Sequence, residues 1–174
     1  MIEDLLWRYV GLRPFHLQAL RDLSHASPAV RRALRDGGLI DEAGRPTLAG
    51  EFALRRAEEI VKGRFAPPAP ILEIEYRPGM ARRVGLPGTE ARLLAYIGRH
   101  PEVCLRFLRL LFGNPPLKDL RERGLINVPE GFSWTAWSTP VRPSAAGVER
   151  LRALIPASYE PIRDGFQKEA KWSW

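Results

Sequence analysis

The sequence has very little of several residue types that mark particular kinds of protein. Cys104 is the only cysteine in 174 residues, so neither an internal disulfide nor a cysteine-rich zinc site can form. The three histidines, His16, His25 and His100, lack the spacing of metal ligands. A membrane-spanning helix needs about 18 consecutive apolar residues, and no apolar run in the chain is that long. The first residues also lack the basic side chains with which a secretory signal begins. We therefore expect a soluble cytoplasmic protein with no metal and no membrane partner.

Motifs for catalysis are missing as well. There is no glycine-rich phosphate loop and no arrangement of Ser, His and Asp typical of a nucleophilic site. The neighbouring carboxylates Glu58 and Glu59, and likewise Glu73 and Glu75, are typical of a solvated surface rather than of an acid–base pair. We expect a protein that is not an enzyme, with no catalytic residue and no cofactor.

Basic residues, in contrast, exceed acidic ones. The chain has 27 Lys and Arg against 20 Asp and Glu, a net charge of +7 and a pI near 10.2. Residues 1–63 have 10 basic against 9 acidic side chains, and residues 64–174 have 17 against 11. This excess favours an anionic partner, most commonly nucleic acid. Only four basic residues are lysines. The arginine excess suits phosphate contacts, and it is also typical of a thermophile or a GC-rich genome.

Two blocks of the sequence occur twice. Leu-Arg-Asp-Gly-Gly-Leu-Ile at 34–40 returns as Leu-Arg-Glu-Arg-Gly-Leu-Ile at 120–126, and Pro-Thr-Leu-Ala-Gly at 46–50 returns as Pro-Ser-Ala-Ala-Gly at 143–147. The first pair is offset by 86 positions and the second by 97, so the copies differ mainly by 11 residues inserted between the blocks. The repeat predicts two modules of similar architecture.

The first copy predicts three short helices, a turn and a fourth helix. Apolar spacing places the helices at 2–10, 14–24, 28–36 and 48–62, with Ser27 and Thr47 as N-caps. Residues 41–46 are polar and turn-forming, which is compatible with a very short β-wing. A proline-rich linker follows, then a strand at 71–76 with alternating apolar and charged residues, and a loop at 77–87.

The second copy predicts the same plan with a longer wing. Thr89 caps a helix that ends near Arg99, Pro101 begins a second helix, and Asn114 begins a third that ends before Gly124. Strands at 125–128 and 132–139 form the wing, and Ser144 caps a last helix that continues to residue 155. A tail with four aromatic side chains follows.

This order of helices, Gly-Leu-Ile, β-wing and Pro-Thr/Ser-x-x-Gly resembles the tandem winged helix-turn-helix superfamily. MarR-like and ArsR-like regulators and tandem-module plasmid replication initiators belong to it. The resemblance implies a mainly α fold with small β-wings (α+β). Its parts are module 1 at 1–63, a proline-rich linker and connector strand at 64–87, module 2 at 88–156 and an aromatic tail at 157–174. Two departures are the very short first wing and, in module 2, a third helix that begins with two prolines and has acidic residues on its surface.

The resemblance implies a DNA-binding face on each module. The helix before Gly-Leu-Ile enters the major groove in such proteins, and wings contact phosphates. In module 1 this helix contains Arg31, Arg32 and Arg35, and the alternative is an ordinary solvated face. In module 2 it offers Lys118 and Arg121, where Asp119 and Glu122 weaken the attraction to phosphate and favour dimerisation or partner binding. Further candidates in the wings and the loop are Arg45, Arg142, Arg82 and Arg83.

Two functions remain open at this point. The first is a DNA-binding transcriptional regulator or replication initiator, associated with the nucleoid and bound to double-stranded DNA. The second is a protein-assembly module without DNA binding, a homodimer or partner complex formed through module 2 and the tail. Its candidate contact residues are Trp134, Trp137, Trp172 and Trp174. Trp134 and Trp137 differ in strand parity, so one ring should lie on each side of the wing, unless the tail aromatics pack against both.

Overall fold

The computed structural model describes residues 1–155, which form nine α-helices and one two-stranded antiparallel sheet. Short 3-10 turns cover Leu23–His25 and Pro78–Met80. The helices are α1 (Ile2–Tyr9), α2 (Pro14–Arg21), α3 (Pro28–Asp36), α4 (Leu48–Val61), α5 (Ala81–Val84), α6 (Gly88–Arg99), α7 (Leu105–Phe112), α8 (Asn114–Glu122) and α9 (Ala145–Arg152), and the strands are β1 (Ile126–Asn127) and β2 (Arg142–Pro143). The expectation of a mainly helical chain with a small β component is confirmed.

Contacts divide the chain into two units, each made of separate stretches of sequence. Unit 1 comprises Met1–Ala66, Glu102–Leu111 and Val128–Val141. Unit 2 comprises Pro67–Pro101, Phe112–Asn127 and the described residues from Arg142 onwards. The first stretch of unit 1 ends close to the predicted end of module 1, whereas two stretches of the predicted module 2 group with unit 1. The predicted boundaries of independent domains stay a prediction, and the tail at 157–174 lies outside the described residues.

Unit 1 is built on the first four helices. Helix α2 packs against α3 and α4, and α1 packs against α4. Amphipathic spacing explains the packing, because the apolar side chains of each short helix recur on one face. In α3, for example, Leu34 is fully buried while Arg31, Arg32 and Arg35 are exposed.

Unit 2 is organised around α6. This helix packs against α8, α9 and β2, and it contributes the fully buried Leu93, Leu94 and Ile97 to the core. Strands β1 and β2 pair Ile126 with Pro143 and Asn127 with Arg142. The pair is short because Pro143 has no N–H to donate to a longer ladder.

Three predicted N-caps are confirmed. The hydroxyl groups of Ser27, Thr47 and Ser144 each accept a hydrogen bond from the backbone N–H three residues further on, at 3.1 to 3.2 Å. A fourth cap, Thr89, was wrong, since α6 begins at Gly88 with Pro87 before it. The predicted second helix was also too long, because α2 ends at Arg21 and a 3-10 turn follows.

The connector between the copies differs from its predicted form. Residues 71–76 do not form a strand; Ile71 and Leu72 donate their N–H groups to the carbonyl of Gly98 at the end of α6. Alternating side chains are not sufficient for a strand without a second strand edge to pair with. The predicted loop at 77–87 contains a 3-10 turn and helix α5, which ends at Val84 and has Gly85 as its C-cap with a φ of +67°.

Two predictions within the second copy were also wrong. The helix expected from Pro101 begins at Leu105. Glu102 has a φ of +71°, outside the helical region, and the N–H groups of Leu105 and Arg106 donate to Thr139 and Trp137 rather than to a preceding helical turn. The wing strand expected at 132–139 is absent, and β2 at Arg142–Pro143 pairs with β1 instead. The Thr139 hydroxyl donates locally to the carbonyl of Ser133, and such bonds compete with a ladder. The Ser138 hydroxyl donates instead to the distant carbonyl of Val10, and the Trp137 N–H donates to Gly37.

Among residues 1–155, no helix has the length and apolar character to cross a membrane.

Candidate nucleic-acid interface

The two repeat copies fold into the same local arrangement of backbone hydrogen bonds. Gly38 and Gly124 end the preceding helices with φ values of +72° and +71°, where glycine is strongly favoured. The leucine that follows each glycine donates to the leucine five residues before it, at 2.9 Å in both copies. An antiparallel bridge then joins Ile40 to Pro46 in copy 1, and the equivalent pair in copy 2 lies within the β1–β2 sheet.

The Thr or Ser after the second proline closes this arrangement. Thr47 donates its N–H to Leu39 at 3.0 Å, and its hydroxyl donates to the carbonyl of Gly38 at 2.6 Å. Ser144 makes the two equivalent bonds, to Leu125 at 3.0 Å and to Gly124 at 2.5 Å. The same hydroxyl therefore caps the following helix and ties it to the end of the preceding one.

The glycine of the Pro-Thr/Ser-x-x-Gly block allows close packing. A Cβ at Gly50 would overlap the carbonyl oxygen of Leu39, and a Cβ at Gly147 would overlap that of Leu125. Neither glycine has a positive φ, so close approach of backbone explains the residue type. The repeated sequence blocks thus correspond to one repeated structural motif.

Three basic positions recur on this motif. With the copies aligned, Arg32 matches Lys118 and Arg35 matches Arg121 on the helix before the glycine, and Arg45 matches Arg142 just before the bridged proline. All six side chains are exposed. We call Arg32, Arg35 and Arg45 the copy 1 triad, and Lys118, Arg121 and Arg142 the copy 2 triad.

The copy 1 triad has acidic neighbours. Arg35 lies 3.9 Å from Glu42, whose side chain is 93% exposed, and Arg45 lies 3.3 Å from Asp41. A backbone hydrogen bond from Arg45, together with its charge, lowers the pKa of Asp41. Such exposed pairs contribute little stability and are screened by salt. Arg32 has no hydrogen-bond or ion-pair partner within residues 1–155.

The copy 2 triad also has acidic neighbours. Lys118 lies 3.9 Å from Glu122, and the adjacent Asp119 accepts a hydrogen bond from Arg123 at 2.9 Å. Arg142 has no ion-pair or hydrogen-bonding partner in the described part of the chain. The sequence suggested that module 1 was more favourable for DNA than module 2. In the structure both triads contain partly compensated side chains, so the difference between the copies is smaller.

The remaining basic candidates lie outside the recurring positions. Arg31 donates to the carbonyl of Leu23 at 2.5 Å, so its guanidinium connects α3 to the preceding turn. Arg82 and Arg83 are exposed on the short helix α5 of unit 2, and copy 1 has no counterpart of this helix. The structure therefore does not bring Arg31, Arg82 or Arg83 into the repeated arrangement.

Trp134 and Trp137 belong to the segment inserted in the second copy. The Trp137 ring packs against Gly37, lies 5.9 Å edge-on from His16, and has the Arg106 guanidinium 3.7 Å above it. Its backbone N–H donates to the carbonyl of Gly37 at 2.9 Å. The ring is therefore held within unit 1. Trp134 is half-buried, and its carbonyl accepts a hydrogen bond from Arg109 at 2.6 Å. Trp172 and Trp174 lie outside the described residues.

Several arginines have internal roles that the sequence did not indicate. Arg106 stacks on Trp137 and donates to the carbonyl of Gly11 at 2.9 Å, and burial lowers its pKa. Arg150 donates to the carbonyl of Val84 at 2.7 Å. Arginine suits these positions because its planar group stacks on rings and donates several hydrogen bonds. Part of the arginine excess is thus explained by packing, and no spacing in the sequence would have separated these arginines from surface ones.

Comparisons of this chain with protein-family models, with curated proteins and with solved structures gave no match. Within residues 1–155, no group of three or more His, Cys, Asp and Glu side chains is placed to hold a metal ion.

Proposed function

We propose that the protein binds double-stranded DNA through the two basic triads, as a transcriptional regulator or replication initiator built on tandem winged helices. The observation that carries the proposal is the recurrence of three exposed basic positions on a motif that is otherwise held together by identical hydrogen bonds. A solvated surface alone gives no reason for charge to recur at equivalent positions.

The placement of each triad suits a duplex. In copy 1, Arg32 and Arg35 are three residues apart and so lie on one face of α3, while Arg45 lies where the chain returns from the turn. In winged-helix complexes such a helix contacts base edges and phosphates, and the wing contacts the backbone. The exposed pairs to Glu42 and Asp41 are weak enough for phosphate oxygens to replace the carboxylates.

The test is a salt titration of binding to a labelled random-sequence duplex, followed by fluorescence anisotropy. We expect affinity to fall steeply between about 50 and 200 mM salt. The variants Arg32→Gln/Arg35→Gln and Lys118→Gln/Arg121→Gln should each weaken binding and reduce the slope of log K against log salt by up to about 2.

The matched control is Arg55→Gln/Arg64→Gln, which removes the same charge from exposed positions of unit 1 outside the triads. It should leave the slope nearly unchanged. Equal effects of control and triad variants would mean that only net charge matters, and absence of binding by the unmodified protein at low salt would refute the proposal.

The assembly role remains a second candidate, and one observation favours it. Leu110 and Leu111 on α7 are 64% and 52% exposed, although α7 is otherwise a strongly amphipathic helix with a buried face. These two side chains supply apolar surface that a second copy of the chain could cover. We propose self-association through this part of α7 as the form that this role would take.

A further inference from the structure

A cleft in unit 2 combines positive charge with aromatic side chains and belongs to neither triad. Its volume is about 290 Å³, near the lower limit for pockets that hold a small organic group. The lining side chains come from α6, from the segment before it and from the end of α7, and they are Glu75, Tyr76, Arg92, Ala95, Tyr96, Arg99, His100 and Phe112.

One face of α6 presents a cation, a ring and a second cation in order. Arg92, Tyr96 and Arg99 are four and three residues apart, so they share a face of the helix, and Arg92 and Arg99 are separated by roughly 10 Å along its axis. Neither guanidinium has a hydrogen-bond or ion-pair partner within the described residues. Among the described residues that line the cleft, Glu75 is the only acidic one, so this lining favours an anion.

The aromatic side chains define a surface for a flat group. The Tyr96 ring lies 4.7 Å from the His100 ring and 5.6 Å from the Phe112 ring, both tilted. Tyr96, Phe112 and Tyr76 are all half-buried, and all three line the cleft. Rings of this kind stack with nucleobases regardless of base identity.

We propose that this cleft binds one unpaired nucleotide of a single-stranded nucleic acid, with the base against Tyr96 and the phosphates on either side held by Arg92 and Arg99. The order of cation, ring and cation on α6 matches the order of phosphate, base and phosphate along a strand. A free mononucleotide has the same base and phosphate chemistry but only one phosphate group, so it uses one of the two arginines. The inference goes beyond the proposed duplex binding and uses none of its residues, so each can fail without the other.

The test measures binding of a labelled oligothymidylate, of thymidine monophosphate and of a blunt duplex to the full chain. Tyr96→Leu should weaken oligothymidylate binding on the order of 5- to 150-fold, since it removes one stacking contact. Tyr96→Phe keeps the ring and should bind within about twofold of the unmodified protein. Arg92→Gln/Arg99→Gln should weaken binding and reduce its salt slope by about 1.4.

Arg152→Gln is a single-charge control, because Arg152 is an exposed arginine of the same unit outside the cleft, 3.6 Å from Glu149. It should bind like the unmodified protein. The double arginine variant changes side chains that make no hydrogen bond or ion pair within residues 1–155, so it tests the cleft even if Tyr96→Leu fails to fold. Unchanged binding in that double variant would overturn the inference. Thymidine monophosphate binding as tightly as the strand, or a duplex competing equally, would overturn the assignment to a strand.

Discussion

At the scale of single residues, the repeated glycines are the clearest link between sequence and packing. Glycine inside a helix normally costs about 1 kcal/mol relative to alanine. Gly50 and Gly147 are nevertheless placed in the first turns of α4 and α9, because the helix backbone approaches the carbonyl of Leu39 or Leu125 too closely for a Cβ. The cost in helix propensity is offset by a close contact between elements.

We expect Gly50→Ala and Gly147→Ala to destabilise the protein by about 1 to 3 kcal/mol each, the usual effect of overpacking. Gly88→Ala is the control, since a Cβ at Gly88 would meet no atom within 4 Å at the start of α6. Urea unfolding measures all three. A Gly50 variant as stable as the Gly88 variant would show that the backbone approach is not tight.

His16 on α2 provides a prediction about pH. The side chain is 8% exposed, and burial, followed by the charges of Arg106 and Arg13, lowers the pKa of its imidazole below 6.5. The unfolded chain therefore takes up this proton at a higher pH than the folded chain. This difference in pKa adds to the free energy of unfolding at a pH above the pKa of histidine in the unfolded chain. The added stability is lost as the pH falls below about 6.5.

The urea midpoint should therefore fall between about pH 7.5 and 5.5, and His16→Gln should reduce that fall. His16→Gln also removes the contact with Trp137, so the comparison concerns the pH dependence and not the absolute midpoint. His25→Gln is the control, since the His25 side chain is 89% exposed. If His16→Gln and the unmodified protein lose stability in parallel, His16 does not cause the dependence.

At the scale of elements, the segment inserted in the second copy behaves differently from a free wing. Residues 128–141 group with unit 1, where Trp137 covers Gly37 and Ala136 approaches Gly38 at the end of α3. Phe132 also meets Phe52 of α4 edge-on at 5.4 Å. The insertion therefore adds core to unit 1, and only the two residue pairs of β1 and β2 remain as the hairpin of copy 2.

Helix α7 gives the prediction for the assembly role. If Leu110 and Leu111 form a contact between copies of this chain, the molecular mass from light scattering should rise toward that of a dimer with increasing concentration. Leu110→Gln/Leu111→Gln should abolish the rise, because it removes the apolar area at the contact. Leu48→Gln, at an exposed leucine of α4, is the control. A monomer at all concentrations would leave the assembly role without support from this helix.

At the scale of the whole molecule, the net charge differs from the charge that is available to contact a polyanion. The chain has a net charge of +7, yet several of its arginines, among them Arg106, Arg109 and Arg150, bond to backbone carbonyls within the fold. Long-range attraction to a polyanion depends on the summed charge, whereas the salt slope counts phosphates actually contacted. The salt titration therefore distinguishes a generally basic protein from one with defined phosphate contacts.

The sequence by itself determined the features that depend on neighbouring residues. The repeat, the caps at Ser27, Thr47 and Ser144, and the helices that those caps begin follow from local hydrogen bonding and from apolar spacing. The three recurring basic positions could also be read from the aligned copies. These features need only a few consecutive residues, so they were predictable without a structure.

Tertiary structure decided the features that depend on distant residues. Residues 71–76 and 132–139 have strand-like composition but do not form strands. Ile71 and Leu72 bond to Gly98, and the backbone of Trp137 bonds to Gly37 and Arg106 in distant stretches of the chain. The cleft brings Tyr76, α6 and Phe112 together from separate stretches, and Arg106 meets Trp137 across 31 positions of sequence. The spacing of residues along the chain does not determine which distant segments come into contact. Those contacts depend on how the apolar faces of all the elements are buried together.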